Sequence, residues 1–448
     1  MKKLRKRSIA VVCLVMALCS VRPVNAFAAA QAPWYFETLG VQAARDAGLT
    51  GAGVRIAVID SGVNAAHEDL AAADMTGYNF LGNEPYADVT AYGDDAGHGT
   101  LVCGILAATP GNGVGTEGLV PDASLLMLRC FSALGGSANA GSGAKETIRR
   151  AVEYAIEANV DVLNMSIGGT KPSLQELEPV FQQAADAGIL LIASVGNSGG
   201  TTTYYPAAFD CVTGVGWLTQ DGTVSPSSQH NATVFVAAPG QDMYGPDWRT
   251  TDGYRTDSGS SFAAPVVAAM AAMAKQADPA IATEAFRALL LQSAHDLGEP
   301  GRDDLYGYGA VDIAAFTEAL LAPQPVTYET NGGLLDGAGY DVSYVIGRGD
   351  RIDLPDAGDI SKEGYRFTGW YADESCTLSV ERIPGGSVGG VTLYAGWEET
   401  PETPATEPEP TVPQTEPCVY CGQTHDGMLG RLIAFFHRII YLFGFRSR

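Results

Sequence analysis

Basic residues are scarce in this 448-residue chain: 27 Lys and Arg stand against 51 Asp and Glu, for a formal net charge of −24. The mature surface is expected to be more acidic still, because Lys2, Lys3, Arg5, Lys6 and Arg7 crowd the extreme N-terminus and would leave with a leader. A surface of that sign repels nucleic acid and anionic lipid, so neither is expected as a partner of the main body. Cysteine is scarce too. Beyond the leader there are Cys103, Cys130, Cys211, Cys376, Cys418 and Cys421, too few and too irregularly spaced for a disulfide scaffold. Cys103 reads as a small buried hydrophobe rather than a redox group. Long apolar runs are missing as well. The stretch 9–18 is too short to span a bilayer, and 428–445 is interrupted by Arg431, His437 and Arg438. No LPxTG-like sorting signal is visible.

What is present divides the chain into expected units. Basic residues, the apolar stretch 9–18 and the small Ala26, Ala28 and Ala30 form a secretory signal over residues 1–30. Cys19 follows Leu18, not the small residue that a lipid-attachment site needs. Hydrophobic residues make up 46% of the chain and charged ones 17%, as in a folded globular protein with room for a real core. Between residues 54 and 238, short apolar runs at 54–59, 125–128, 160–165, 189–195 and 234–237 read as buried strands. Helical periodicity appears at 145–158, and the Ala-rich 265–277 reads as a helix beginning just after Ser261. This alternation predicts an α/β architecture built on a doubly wound, mostly parallel sheet. Chemistry is then expected at the strand C-termini, where Asp60 and Asn197 fall.

The composition changes at 323–325. Residues 326–397 are rich in Gly, Tyr and aromatic strand signals, 398–417 form a Pro/Glu/Thr linker that stays extended and solvated, and 418–448 form a separate tail. In that tail Cys418, Cys421 and His425 offer three zinc ligands, with Asp426 or His437 as a fourth. A Cys418–Cys421 disulfide is the competing reading. The apolar, cationic remainder suits an amphipathic helix at a membrane surface or docked on protein.

Three short segments carry the chemistry. Asp60 stands in Ala57-Val58-Ile59-Asp60-Ser61-Gly62, His98 in Gly97-His98-Gly99-Thr100, and Ser261 in Ser258-Gly259-Ser260-Ser261-Phe262-Ala263-Ala264-Pro265. A nucleophilic hydroxyl needs a base to take its proton and a third group to orient that base. Further along lie Asn164-Met165-Ser166-Ile167-Gly168-Gly169, Ser194-Val195-Gly196-Asn197-Ser198-Gly199 and Tyr308-Gly309-Ala310-Val311-Asp312.

With these segments in this order, the chain resembles the subtilisin-like serine proteases, the subtilases, over about residues 33–321. The resemblance implies Ser261 as nucleophile, His98 as general base and then acid, Asp60 as its orienting carboxylate and Asn197 as an oxyanion donor. It also implies that residues Gly141, Ser142 and Gly143 and residues Ser166, Ile167 and Gly168 flank an extended peptide substrate by strand addition. Ser166–Gly168 with Ser194, Val195 and Gly196 would wall the first specificity pocket, and Tyr204 or Tyr205 would reach its floor. Asp69 matches a family calcium ligand, with Asn112 and carbonyls of the 109–115 loop completing an oxygen cage. No cofactor is implied for the chemistry itself. Residues 31–54 hold no evident folding pro-domain, which departs from the family pattern, as does Leu101 where many members have His. The pattern around Gly364-Tyr365-Arg366-Phe367-Thr368-Gly369-Trp370-Tyr371 and Val391-Thr392-Leu393-Tyr394-Ala395-Gly396-Trp397 resembles the internalin-type B-repeat, a small β-grasp-like module of bacterial surface proteins.

Three functions follow as expectations: a secreted endopeptidase acting on protein or peptide substrates, a dedicated processing protease for one partner peptide, or a surface binding protein on an inactive protease fold. Contact with a cell wall, membrane surface or protein would fall to the C-terminal modules.

Overall fold

The computed structural model describes residues 32–81, 84–86, 93–132, 141–170, 172–337, 339–347, 352–383, 385–400 and 435–436. Its centre is a sheet of β1 (Arg55–Asp60), β2 (Met75–Asn79), β3 (Glu84–Tyr86), β4 (Ser124–Arg129), β5 (Val162–Met165), β6 (Leu190–Ser194), β7 (Val212–Leu218) and β8 (Val236–Pro239), in the order β3-β2-β4-β1-β5-β6-β7-β8. The pairings from β2 to β8 are parallel, and only the edge strand β3 runs antiparallel, to β2. This is the doubly wound α/β sheet that the alternating pattern implies.

Successive residues of a strand point to opposite faces, so a strand covered on both sides is apolar throughout. In β1, Ile56 and Val58 pack into one core layer with Leu125 and Met127 of β4, while Ala57 and Ile59 pack into the other with Leu126 and Leu128. The first layer is roofed by α3 (His98–Ala107) and α7 (Ser260–Ala277), and the second by α4 (Gly141–Glu157) and α6 (Glu178–Asp186). Two shorter helices, α1 (Trp34–Leu39) and α2 (Val41–Asp46), precede the sheet, and α5 (Pro172–Gln175) lies before α6. The C-terminal side of the domain adds the hairpin β9 (Met243–Pro246) and β10 (Tyr254–Asp257) and the helices α8 (Thr283–Ser293) and α9 (Ile313–Leu321). Cys103, Cys130 and Cys211 are free and buried, as small hydrophobes would be.

Helix α7 starts earlier than the Ala-rich stretch suggests. It takes in Ser260 and Ser261 and keeps Pro265 inside its second turn. Proline there removes one N–H, whose partner would be the Ser261 carbonyl. That carbonyl finds another donor.

After α9 comes a module made mostly of strands. Its five-stranded sheet joins β11 (Gln324–Glu329), β13 (Ser343–Tyr344), β15 (Tyr365–Tyr371), β16 (Ser379–Val380) and β17 (Val391–Glu399) in the order β13-β11-β17-β15-β16. The first and last of these strands, β11 and β17, lie side by side and parallel. A small second ladder pairs β12 (Leu334–Leu335) with β14 (Ile360–Ser361). Val326, Tyr344, Ile360, Trp370, Ile383, Leu393 and Ala395 form the module's own core. Cys418, Cys421 and His425 lie outside the described residues.

Candidate active site

Strand β1 ends at Asp60 and helix α3 begins at His98, and the two side chains meet at the C-terminal edge of the sheet. His98 Nδ1 lies 2.8 Å from Asp60 Oδ1 and 3.0 Å from Oδ2. Asp60 is 1% exposed, and the Ser61 N–H donates to its Oδ1 at 2.7 Å. A carboxylate on Nδ1 fixes the imidazole with Nε2 as its free nitrogen. The small flank after His98 has a steric cause: a Cβ on Gly99 would stand 2.2 Å from the Gly62 carbonyl oxygen.

Asp94 organises this junction, a role the sequence did not reveal. Its Oδ1 accepts from Ser61 Oγ at 2.8 Å and from the Ala96 and Gly97 amides at 3.0 and 2.8 Å. Its Oδ2 accepts from the Thr100 amide and hydroxyl, each at 2.9 Å. Ser61 Oγ in turn accepts from the Gly99 amide at 3.0 Å. One buried carboxylate thus caps α3 and ties it to the end of β1, holding His98 against Asp60. Its position four residues before His98 was the only available signal.

Burial pulls the His98 imidazole pKa down, but the charge and hydrogen bond of Asp60, with the fields of Asp94 and Asp257, outweigh it and raise the pKa above the ordinary value. Asp257 is the accessible member of this set, paired with Arg255, whose Nη1 also donates to the Gly97 carbonyl. A base must be neutral to act, so a raised pKa moves the acid limb of the pH–rate profile upward. Asp257→Asn removes one of the negative charges that favour imidazolium. Its acid limb of kcat/KM is expected at lower pH than that of the unaltered protein. A limb that stays in place or moves upward in a pH–rate titration would show that Asp257 does not act on His98.

The neighbourhood of Ser261 is fixed by hydrogen bonds of Asn197, Gly196 and Ser166, with Asn164 behind Ser166. Asn197 Oδ1 accepts from the Ser260 amide at 2.8 Å and from Ser260 Oγ at 2.9 Å. The Gly196 amide donates to Ser260 Oγ at 3.2 Å. With its oxygen so engaged, Asn197 has its amide nitrogen left to donate elsewhere. Ser166 Oγ donates to the Ser261 carbonyl at 2.6 Å, taking the place of the N–H that Pro265 lacks. Asn164 Nδ2 donates to Ser166 Oγ at 3.0 Å. The Phe262 ring lies 5.1 Å from the His98 ring, so the first turn of α7 stands beside the imidazole.

The expected cleft walls are partly brought together. Ser166, Ile167 and Gly168 follow β5, and Ser194, Val195 and Gly196 end and follow the adjacent β6; Ser194 Oγ donates to the Ile167 carbonyl at 3.3 Å. Between them stands Tyr204: a Cβ on Gly168 or Gly196 would lie 3.1 or 3.0 Å from its ring. The Tyr204 hydroxyl meets Ser198 Oγ at 2.5 Å. Tyr205 instead exchanges backbone hydrogen bonds with Gly169, at 2.9 Å each way, and packs beside Phe209. Val195 is fully buried. Gly141, Ser142 and Gly143 differ from expectation. They form the first turn of α4, not an extended segment, because Ala144, Lys145 and Glu146 are good helix formers that carry the helix back through them.

Asp69 and Asn112 do meet. Asp69 is fully buried; its Oδ1 accepts from Asn112 Nδ2 at 2.7 Å and its Oδ2 from the Thr116 amide at 2.9 Å. Burial pushes its carboxyl pKa up, against hydrogen bonds from Asn112, Thr116 and Tyr254. A buried carboxylate held by neutral donors alone, beside an amide whose two ends are isosteric, is a donor set that fits a hard cation. Among the described residues no group of three or more His, Cys, Asp or Glu side chains is placed to hold a metal.

The subtilase family model matches residues 51–309, more than half of the chain. This chain belongs to the subtilase family. Minor extracellular protease Epr of Bacillus subtilis (strain 168) is 35% identical over 283 residues, which cover 63% of this chain and 41% of that protein. The subtilase thus spans about two fifths of the length of that relative. Subtilisin Savinase of Lederbergia lenta is 34% identical over 285 residues, 64% of this chain and 98% of that one. The crystal structure of the psychrophilic subtilisin-like protease Apa1 from the Antarctic psychrotroph Pseudoalteromonas sp. AS-11 shares the fold, with a TM-score of 0.57 at 19% identity over 65% of this chain and 98% of its own. Residues 325–396 match the Listeria–Bacteroides repeat domain, so the subtilase carries that module after its α/β domain. No helix among the described residues is long and apolar enough to cross a membrane.

Proposed function

We propose that the subtilase is a secreted serine endopeptidase that cuts peptide bonds through an acyl-enzyme. The observation that carries this reading is the conjunction at one sheet edge of the Asp60–His98 pair and an Asn197 amide oriented by Ser260. His98 Nε2 takes the Ser261 hydroxyl proton as Oγ attacks the scissile carbonyl. The tetrahedral oxyanion is met by Asn197 Nδ2 and the Ser261 amide at the N-terminus of α7, where the free N–H groups favour negative charge. Imidazolium, stabilised by Asp60, then protonates the leaving amine, and the same groups in reverse let water release the acyl product. A binding protein on a dead fold has no chemical use for this set. A dedicated processing role differs only in the breadth of what is cut.

The substrate lies as an extended strand against Ser166–Gly168, and its first side chain enters between that segment and Ser194–Gly196. Tyr204 narrows this space and favours small side chains. Hydrolysis of a mixed peptide library by the chain beginning near Gln31 tests both points. Cleavage after small residues is expected, shifting toward larger ones in Tyr204→Ala. A strong preference for Phe or Tyr before the substitution defeats the pocket assignment, and silence from folded protein defeats the endopeptidase.

A structural calcium ion belongs to the same reading. Asp69 would hold it, with Asn112 turning its oxygen inward and loop carbonyls adding further ligands. The ion would stiffen the 109–115 loop and take no part in chemistry. Calcium is expected to raise the unfolding temperature and EDTA to lower it, with Asp69→Asn removing the difference. Equal melting with and without calcium in the unaltered protein rejects the ion.

A further inference from the structure

We propose that the C-terminal repeat module is a fixed brace on the subtilase domain, seated on the turn that follows the nucleophile helix. That turn, residues 277–281, joins α7 to α8, and two loops of the module close on it. In the first, Ile346 is 1% exposed and belongs to the large core layer of the α/β domain rather than to the module's own core. Next to it, Gly347 adopts φ +71°, and a Cβ there would stand 1.7 Å from the Ala277 carbonyl oxygen. Only glycine allows the backbones to come so close. In the second loop, the Gly386 amide donates to Asp278 Oδ2 at 2.6 Å. Asp278 is 3% exposed, and its other oxygen accepts from the Ala280 amide at 3.0 Å, so one buried carboxylate serves the turn and the module together. Tyr344 OH donates to the Gly389 carbonyl at 2.9 Å, linking the neighbourhoods of both loops, and Val388 packs on the same core layer.

These contacts are not those of a module swinging on a tether. Undocking would expose an isoleucine from a packed core and strip a hydrogen bond from a buried carboxylate, and both changes are unfavourable. The connection leaves little freedom either, since α9 ends at Leu321 and β11 begins at Gln324. The brace acts at the far end of an 18-residue helix, about 27 Å from its start at 1.5 Å per residue. It therefore stabilises the helix that carries Ser261 without touching the chemistry, and it assigns the module an internal partner surface.

Hydrogen exchange and calorimetry on the full chain test this without reference to activity. Amides at 278, 280, 281 and 386 are expected to be protected together and to open together. Ile346→Ser should lower the main unfolding transition by about 5 °C or more and speed exchange at 278–281 at least about tenfold. Leu393→Ala loosens the module from within its own core and should speed exchange at the same α/β-domain amides, which keeps the test decisive if Ile346→Ser does not fold. Asp278→Asn should produce a smaller effect of the same sign. Free exchange at 278–281 in the unaltered chain overturns the brace. So does a Leu393→Ala variant with a loosened module and unchanged protection at 278–281.

Discussion

Ser261→Ala is expected to lower kcat by about 10⁶-fold, the size of loss that subtilisin shows when its nucleophile is removed, with KM and melting temperature nearly unchanged. The size follows from what the substitution takes away and what it leaves. It removes the hydroxyl that the proposed mechanism uses as nucleophile, in the first turn of α7, and with it the covalent route. It keeps the Ser261 amide, and it keeps the carbonyl that accepts from Ser166 at 2.6 Å. Stability should therefore stay within about 0.5 kcal/mol, as for a substitution that breaks no buried contact. Residual cleavage about 10³–10⁴-fold above water should persist, supplied by the oxyanion donors and by binding. Ser260 cannot substitute as nucleophile, because it is fully buried and its hydroxyl is committed to Asn197 at 2.9 Å. His98→Ala should cost a similar amount, and the double variant no more than either single one, since the two groups act as a unit. The check is kcat and KM on the best library peptide beside a thermal melt. A Ser261→Ala enzyme within tenfold of the original would place the nucleophile elsewhere.

How much of this was legible in the sequence depended on whether a residue's role is local. The strands β1, β4, β5 and β6 are continuous apolar runs because helices cover both faces, and such runs stand out. β7 does not, for a physical reason: its Gly214 and Gly216 break the apolar pattern, yet a Cβ on Gly214 would stand 2.1 Å from the Thr233 carbonyl oxygen. Close approach of a neighbouring backbone selected glycine there, and composition alone reads glycine as a turn. Helix α7 begins one turn before the stretch that the sequence marks as helical, because Gly-Ser-Ser reads as its flank and Pro265 as its start. Only the fold shows that Ser166 supplies the donor which Pro265 lacks.

At the site the same division holds. Asp60, His98, Ser261 and Asn197 stand in segments whose order and glycine flanks were distinctive. Asp94 was not distinctive, since it and Asp95 read only as carboxylates near His98 that compete with Asp60, and nothing in the sequence gives Asp94 a structural role of its own. Its importance comes from Ser61 and Thr100 converging on it from two different elements. Burial of a charge among backbone donors is a tertiary fact. The docking of Ile346 on the distant turn after α7 was likewise invisible, because nothing in the module's pattern separates a residue of its own core from one lent to a neighbour.

Replacing Asn197 gives the second large effect and separates two roles of one side chain. Its oxygen anchors Ser260 through bonds of 2.8 and 2.9 Å, while in the proposed mechanism its nitrogen donates to the oxyanion. Asn197→Asp keeps an acceptor for Ser260, loses the donor and puts a negative charge where negative charge develops. Asn197→Leu loses the donor without adding charge, but it leaves the Ser260 amide and hydroxyl without their acceptor. Loss of the donor alone should cost about 10²–10³-fold in kcat with little change in KM, because the oxyanion exists only beyond the ground state. The added charge should make the Asp variant the slower of the two. Stability should rank the other way, since stripping buried donors costs about 1–3 kcal/mol and the Asp variant avoids that loss. The two variants are thus expected to exchange order between a kinetic assay and a thermal melt. If the Leu variant is both slower and less stable, Asn197 serves the chemistry only by holding α7 in place, and the oxyanion is stabilised by other groups.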